Sequence, residues 1–154
     1  MKVLLSRINK TIKIVSYKSK YLYRVYQLIR AIRLLFNNSF RELFKETKKG
    51  DICIDMGANI GDASLIFWLA GAKTIYAIEP HPVVFKELKN NLKGIKNIKL
   101  FNFAISSKNG KEKLYLHKEI KEDNDINNIL KYSQSSSIIN SKNNIGSTFF
   151  EIET

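Results

Sequence analysis

The sequence predicts an α/β fold, a Rossmann-like parallel sheet preceded by N-terminal helices. Three observations carry this. Residues 51–55 hold an Ile52-Cys53-Ile54 core between turn formers, as suits a strand buried on both faces. Gly57 and Gly61 bracket a tight turn that leads into the apolar run 63–70. A second short apolar run, 74–78, then ends in Glu79-Pro80. Strand, glycine loop, helix and strand in this order form a parallel crossover unit.

Taken in order, residues 1–15 alternate too weakly to assign. Residues 18–37 show helical periodicity, with Leu22, Val25, Tyr26, Ile29, Ile32, Leu35 and Phe36 on one stripe. A short helix is expected over 40–47, capped by Ser39 or Asn38. Asp62 reads as the N-cap of the helix over 63–70, and Gly71 as its C-terminal stop. A helix over 82–92 follows, with Val83, Val84, Leu88 and Leu92 inward, and then a third strand over 97–103. Ser107-Lys108-Asn109-Gly110 is a turn signal, and 113–117 an edge strand that starts on a lysine. Residues 118–147 read as a polar loop with one helical piece at 125–132.

The chemistry sits at the carboxyl ends of the first two strands, where open α/β sheets bind nucleoside ligands. Glu79, 18 positions past Gly61, is close to the spacing of about 20 at which a carboxylate reaches both ribose hydroxyls. The loop Asp55-Met56-Gly57-Ala58-Asn59-Ile60-Gly61 lacks the paired glycines of the dinucleotide fingerprint and adds an acid at the strand end. An acid is unfavourable for a diphosphate and favourable for an ammonium group. The pattern therefore favours S-adenosylmethionine over NAD as cofactor.

Asp55-Met56-Gly57-Ala58-Asn59-Ile60-Gly61-Asp62, Ala77-Ile78-Glu79-Pro80-His81-Pro82 and Phe103-Ala104-Ile105-Ser106 together resemble the FkbM-type methyltransferase family over roughly residues 47–154. The resemblance implies a class I methyltransferase sheet and S-adenosylmethionine-dependent O-methylation of a small-molecule or saccharide hydroxyl. It places Asp55 near the ammonium group, Gly57, Ala58, Asn59 and Gly61 around the methionine part, Glu79 on the ribose, and Phe103 and Ala104 beside the adenine. His81 is the imidazole nearest to this set and a candidate base; otherwise it is a loop or adenine-side contact. Ser135-Ser136-Ser137 resembles a serine stretch of the family, with a low-complexity loop as the equal alternative. The family pattern continues past Phe149-Phe150-Glu151-Ile152-Glu153-Thr154, so the sheet is expected to stop after its third parallel strand, leaving the first strand with a free edge. The expected organisation is a basic amphipathic helical segment, 1–47, and a cofactor-binding part, 48–154, incomplete at its C-terminal end.

Composition bounds the alternatives. The chain has 154 residues, one domain's worth, and 44% hydrophobic content, enough for a core. A single cysteine, Cys53, excludes a disulfide framework, and Cys53, His81 and His117 are too dispersed to suggest a metal site. No run of about 18 apolar residues is present to predict a spanning helix, and basic residues interrupt the N-terminus as a signal peptide. A cytoplasmic location, membrane-peripheral where the basic segment engages lipid, is the default expectation. Residues 1–50 hold 13 Lys/Arg and 2 Asp/Glu, so nearly all of the formal net charge of +12 lies there. The basic helix either packs on the core with its charges solvated, or lies on an anionic membrane or polyanion. No specific nucleic acid is expected. The other function classes left open are an inactive cofactor-binding fragment and a basic module associated with membranes or polyanions.

Overall fold

The structure, a computed structural model, describes residues 19–117, 129 and 145–154. Residues 1–15, the serine stretch 135–137 and all but Ile129 of the helical piece expected at 125–132 lie outside the described residues. The elements run α1 (Lys20–Leu34), α2 (Asn38–Glu46), β1 (Ile52–Met56), α3 (Asp62–Ala70), β2 (Thr74–Ile78), α4 (Pro82–Asn91), β3 (Ile98–Phe101), β4 (Lys111–His117) and β5 (Ile145–Glu153).

β1, β2 and β3 form a parallel sheet in the order β1-β2-β3, with Ile54 opposite Tyr76 and Tyr76 opposite Lys99. Two right-handed crossovers that step in one direction leave their helices on one face of the sheet. The core lies on that face: Ala77 packs with Leu65 of α3, Leu88 of α4, and Leu92, Ile95, Ala58 and Ala31. β4 and β5 pair antiparallel as a separate ribbon. It joins the sheet's end where the Ala104 N–H donates to the Glu153 carbonyl at 2.8 Å.

Among the described residues, the other face of the sheet is open along β1, while Ile78 on the same face is buried. Ile52, Ile54 and Met56 are 67%, 58% and 68% exposed, and the row continues through Tyr76, stacked on Phe101 with ring centroids 6.1 Å apart. β1 therefore is not buried on both faces, as its Ile-Cys-Ile core suggested. Among the described residues it pairs only with β2, which leaves the expected free edge. Cys53, on the covered side, is half-buried, and burial pushes its thiol up.

Local caps differ from expectation by a residue. α2 is capped by Asn37, whose side chain accepts from the Ser39 N–H at 2.9 Å, rather than by Asn38 or Ser39. α3 is preceded by Gly61 at φ 88, and Asp62 is its first helical residue instead of its cap.

The larger surprise is α1. It docks on α3 through the side opposite its apolar stripe. Tyr23, Gln27 and Ala31 are buried, whereas Leu22, Val25, Ile29, Ile32 and Phe36 are exposed. What holds it is the C-terminal end of α4, where helix carbonyls lack intrahelical donors. The Tyr23 hydroxyl donates to the Asn90 carbonyl at 2.5 Å, Gln27 Nε2 to the Asn91 carbonyl at 2.9 Å, and Arg24 to the Gly94 carbonyl at 2.6 Å. The Arg24 guanidinium also sits over the Trp68 ring, 5.5 Å from its centroid. Donors, not aliphatic carbons, are what this junction requires.

Candidate functional site

The loop 57–61 is tied to the tip of β2. The N–H groups of Gly57 and Ala58 both donate to the Ile78 carbonyl at 2.9 Å, and the Asn59 N–H donates to Glu79 Oε2 at 2.8 Å. Glu79 Oε1 accepts from the His81 N–H at 2.9 Å. One carboxylate thus clamps the β1–α3 loop and the β2–α4 loop together. Asn102, just past β3, donates to the carbonyls of Glu79 and Pro80 at 2.8 and 3.1 Å and fixes the third strand's end to the same point.

The turn needs positive φ at three consecutive corners: Gly57 at 75°, Asn59 at 49° and Gly61 at 88°. Asn tolerates this conformation better than most residues with a side chain. The two glycines differ in what surrounds them. A Cβ on Gly61 would stand 2.9 Å from Leu88 and Leu92 side-chain carbons, so Gly61 is required by helix packing. A Cβ on Gly57 would meet nothing within 4 Å. Gly57 opens onto free space, where the backbone can be approached closely.

Asp55, next to last in β1, lies on the covered face and accepts from the Ser64 hydroxyl at 2.6 Å. Burial pushes its carboxyl above the ordinary range, with the Ser64 bond acting against the shift. Burial likewise raises Glu79, opposed by the two N–H groups it binds, while the charge of Asp55 adds to the rise. Asp62, the third acid at this corner, is ion-paired with Arg30, which also donates to the Ile60 carbonyl at 3.3 Å. Asn91 Nδ2 reaches the same Ile60 carbonyl at 3.1 Å. Asp55, Gly57, Ala58, Asn59, Gly61 and Glu79 are therefore brought together at one corner of the sheet.

The three remaining candidates lie just past β3 and at the start of α4. Phe103 lies past the end of β3, against Phe101 with centroids 5.7 Å apart. Ala104 is buried with Leu114 and Ile152, and its N–H is engaged by β5, so it has no backbone donor to offer an adenine. His81 is 1% exposed, edge-on to Phe150 at 5.1 Å, and burial lowers its pKa to about 4. An inaccessible imidazole with so low a pKa is a poor base for an acceptor at neutral pH.

Sequence reasoning missed Ser64, Arg30, Asn91 and Asn102. Ser64 had a signal: it is the lone hydroxyl in the otherwise apolar run 63–70. The others act from distant segments and had none. A cleft of about 280 Å³ also opens beside Asn102, lined by Pro82, Lys111 and Glu151, Ile152 and Glu153 of β5.

Neither a family model nor a curated protein sequence matches this chain. Solved structures do. PH1948 of Pyrococcus horikoshii, proposed to be an RNA methyltransferase, is 28% identical at a TM-score of 0.42, over 47% of this chain and 40% of its own. Trm5b of Pyrococcus abyssi is 25% identical at a TM-score of 0.39, over 42% of this chain and 20% of its own. TYW2 of P. horikoshii, in complex with MeSAdo, is 30% identical at a TM-score of 0.38, over 41% of this chain and 25% of its own. The chain thus spans 40% or less of the length of each of these proteins.

Proposed function

We propose that this chain is the cofactor-binding part of an S-adenosylmethionine-dependent methyltransferase. One observation carries the reading: the buried Glu79 carboxylate, fixed by the Asn59 and His81 N–H groups, stands at the β2 tip beside the open face of Gly57. Each Glu79 oxygen accepts one such bond and keeps lone-pair capacity for a ribose hydroxyl. Asp55 supplies negative charge for an ammonium group. A diphosphate is disfavoured, because the α3 N-terminus that would receive it already begins with the Asp62 carboxylate. When bound, S-adenosylmethionine supplies a methyl group on a positively charged sulfur. The chain's residues hold the ribose through Glu79, shape the loop through Gly57 and Asn59, and orient Asp55 through Ser64. On the resemblance to the FkbM-type family, the acceptor is a small-molecule or saccharide hydroxyl.

Calorimetry with S-adenosylmethionine, S-adenosylhomocysteine and NAD tests this. The first two are expected to bind and NAD to bind more weakly; tighter binding of NAD sinks the reading.

The same site predicts a pH dependence. An ammonium group needs Asp55 ionised, ribose hydroxyls donate more strongly to an ionised Glu79, and the folded-state pKa values of both are raised. Affinity should therefore fall on mild acidification, at a pH above the ordinary carboxylate range. Stability of the ligand-free protein responds with opposite signs. The two acids add stability as pH falls through their raised folded values, whereas the depressed His81 loses it between about 6.5 and about 4. Affinity is thus the cleaner readout, and titrations at neutral and mildly acidic pH that give equal affinity would remove Asp55 and Glu79 from the site.

A further inference from the structure

We propose that α1 is a docking helix for an anionic membrane surface, and that its outward face lies in the lipid headgroup layer. The evidence is independent of the cofactor site. Tyr21, Leu22, Val25, Leu28, Ile29 and Ile32 are all exposed, and their spacing at 100° per residue gathers them on one arc of the helix. Phe36 extends the arc past the helix end. Tyr21 and Phe36, at its two ends, are each 84% exposed.

This arc cannot turn inward. The opposite face is fixed by the bonds of Tyr23, Arg24 and Gln27 to the end of α4 and by the Arg30–Asp62 ion pair. Rotating α1 to bury the arc would break all of them. An apolar strip of 15 residues' length, roughly 22 Å, is therefore held open toward solvent.

Charge selects the occupant. Residues 1–50 hold 13 Lys/Arg against 2 Asp/Glu. Arg33, Arg41, Lys45, Lys48 and Lys49 are exposed on α1, on α2 and in the turn that follows it. A second copy docked on this arc through its own would bring two such basic segments together and be repelled. A nucleic acid would need cationic side chains on the arc itself, where apolar ones stand. An anionic lipid surface satisfies both features, taking the apolar side chains below the headgroups and the lysines and arginines at them. No described helix is long and apolar enough to cross a membrane, so α1 lies on the surface.

Sedimentation of the full chain with vesicles tests this. Vesicles containing phosphatidylserine should bind about tenfold or more tighter than pure phosphatidylcholine, with the difference removed by high salt. The double substitution Val25→Asp, Ile29→Asp touches exposed positions only and should lower vesicle binding by about tenfold or more. Tyr21→Trp should show a blue-shifted emission on anionic vesicles over that of the parent, and this decides the matter if the double variant fails to fold. The proposal is overturned by absence of binding to anionic vesicles, or by equal binding of the folded double variant. It is equally overturned if the parent is a dimer that the double variant splits without any vesicle binding, or if a nucleic acid duplex is bound more tightly than the vesicles.

Discussion

Glu79→Ala is expected to weaken S-adenosylmethionine binding by roughly ten- to hundredfold, the equivalent of about 1.5–3 kcal/mol for hydrogen bonds to a charged group. The loss has two sources. The ribose loses its acceptor, and the Asn59 and His81 N–H groups lose theirs, which releases the loop 57–61 from the β2 tip. The ligand-free protein should be affected less. The buried His81 N–H is left without its acceptor, but removing a buried carboxylate also removes its desolvation cost, the leading cause of its raised pKa, and Asn59 is only half-buried. A thermal melt and a calorimetric titration on the same sample separate the two effects. Gly57→Val should cost binding at least as much, because a β-branched residue is strained at φ 75° and its side chain fills the open approach. If both variants bind like the parent, the cofactor lies elsewhere; if they only melt earlier, Glu79 is a structural clamp and no more.

The gathering of these residues at one corner was legible because its requirements are local. A loop that turns with positive φ needs Gly57 and Gly61 at fixed places, and Glu79 follows the end of the next strand. The parallel order of the three strands followed from the handedness of crossovers. What was not legible depends on contacts between distant segments. Periodicity groups Leu22, Val25, Ile29 and Ile32 on one face of α1, yet it cannot say which face docks. That was decided by the carbonyls of Asn90, Asn91 and Gly94 at and just past the end of α4, which select Tyr23, Gln27 and Arg24. The same holds for Ala104. A strand end looks available for a ligand until β5, almost fifty residues later, takes its N–H. Likewise Ile52-Cys53-Ile54 reads as a buried strand, because an apolar run cannot report whether a neighbour exists to bury it.

The uncovered side of the sheet makes the last prediction. Ile52, Ile54 and Met56 keep roughly two-thirds of their surface in water, on a strand whose outer edge has no described partner. Complete burial of such side chains is worth about 1.5–3 kcal/mol each, so covering what remains is worth about 1–2 kcal/mol apiece. Three together can shift an association constant by about two to four powers of ten. Tyr76 and Phe101 extend the same surface, and the edge, unpaired among the described residues, offers backbone groups to an incoming strand. The chain of 154 residues is therefore expected to self-associate through this face. Ile52→Lys with Ile54→Lys should move the mass measured by light scattering toward the monomer, since lysine on an edge opposes strand addition. Vesicle binding through α1 should survive those two substitutions. Conversely, Val25→Asp with Ile29→Asp should leave the association unchanged, because α1 and the open sheet face lie on opposite sides of the α3 layer. A parent chain that stays monomeric at high concentration would show that the exposed row on β1 is not an adhesive surface. An association abolished by the α1 variant instead would locate the contact on the helix and sink both assignments together.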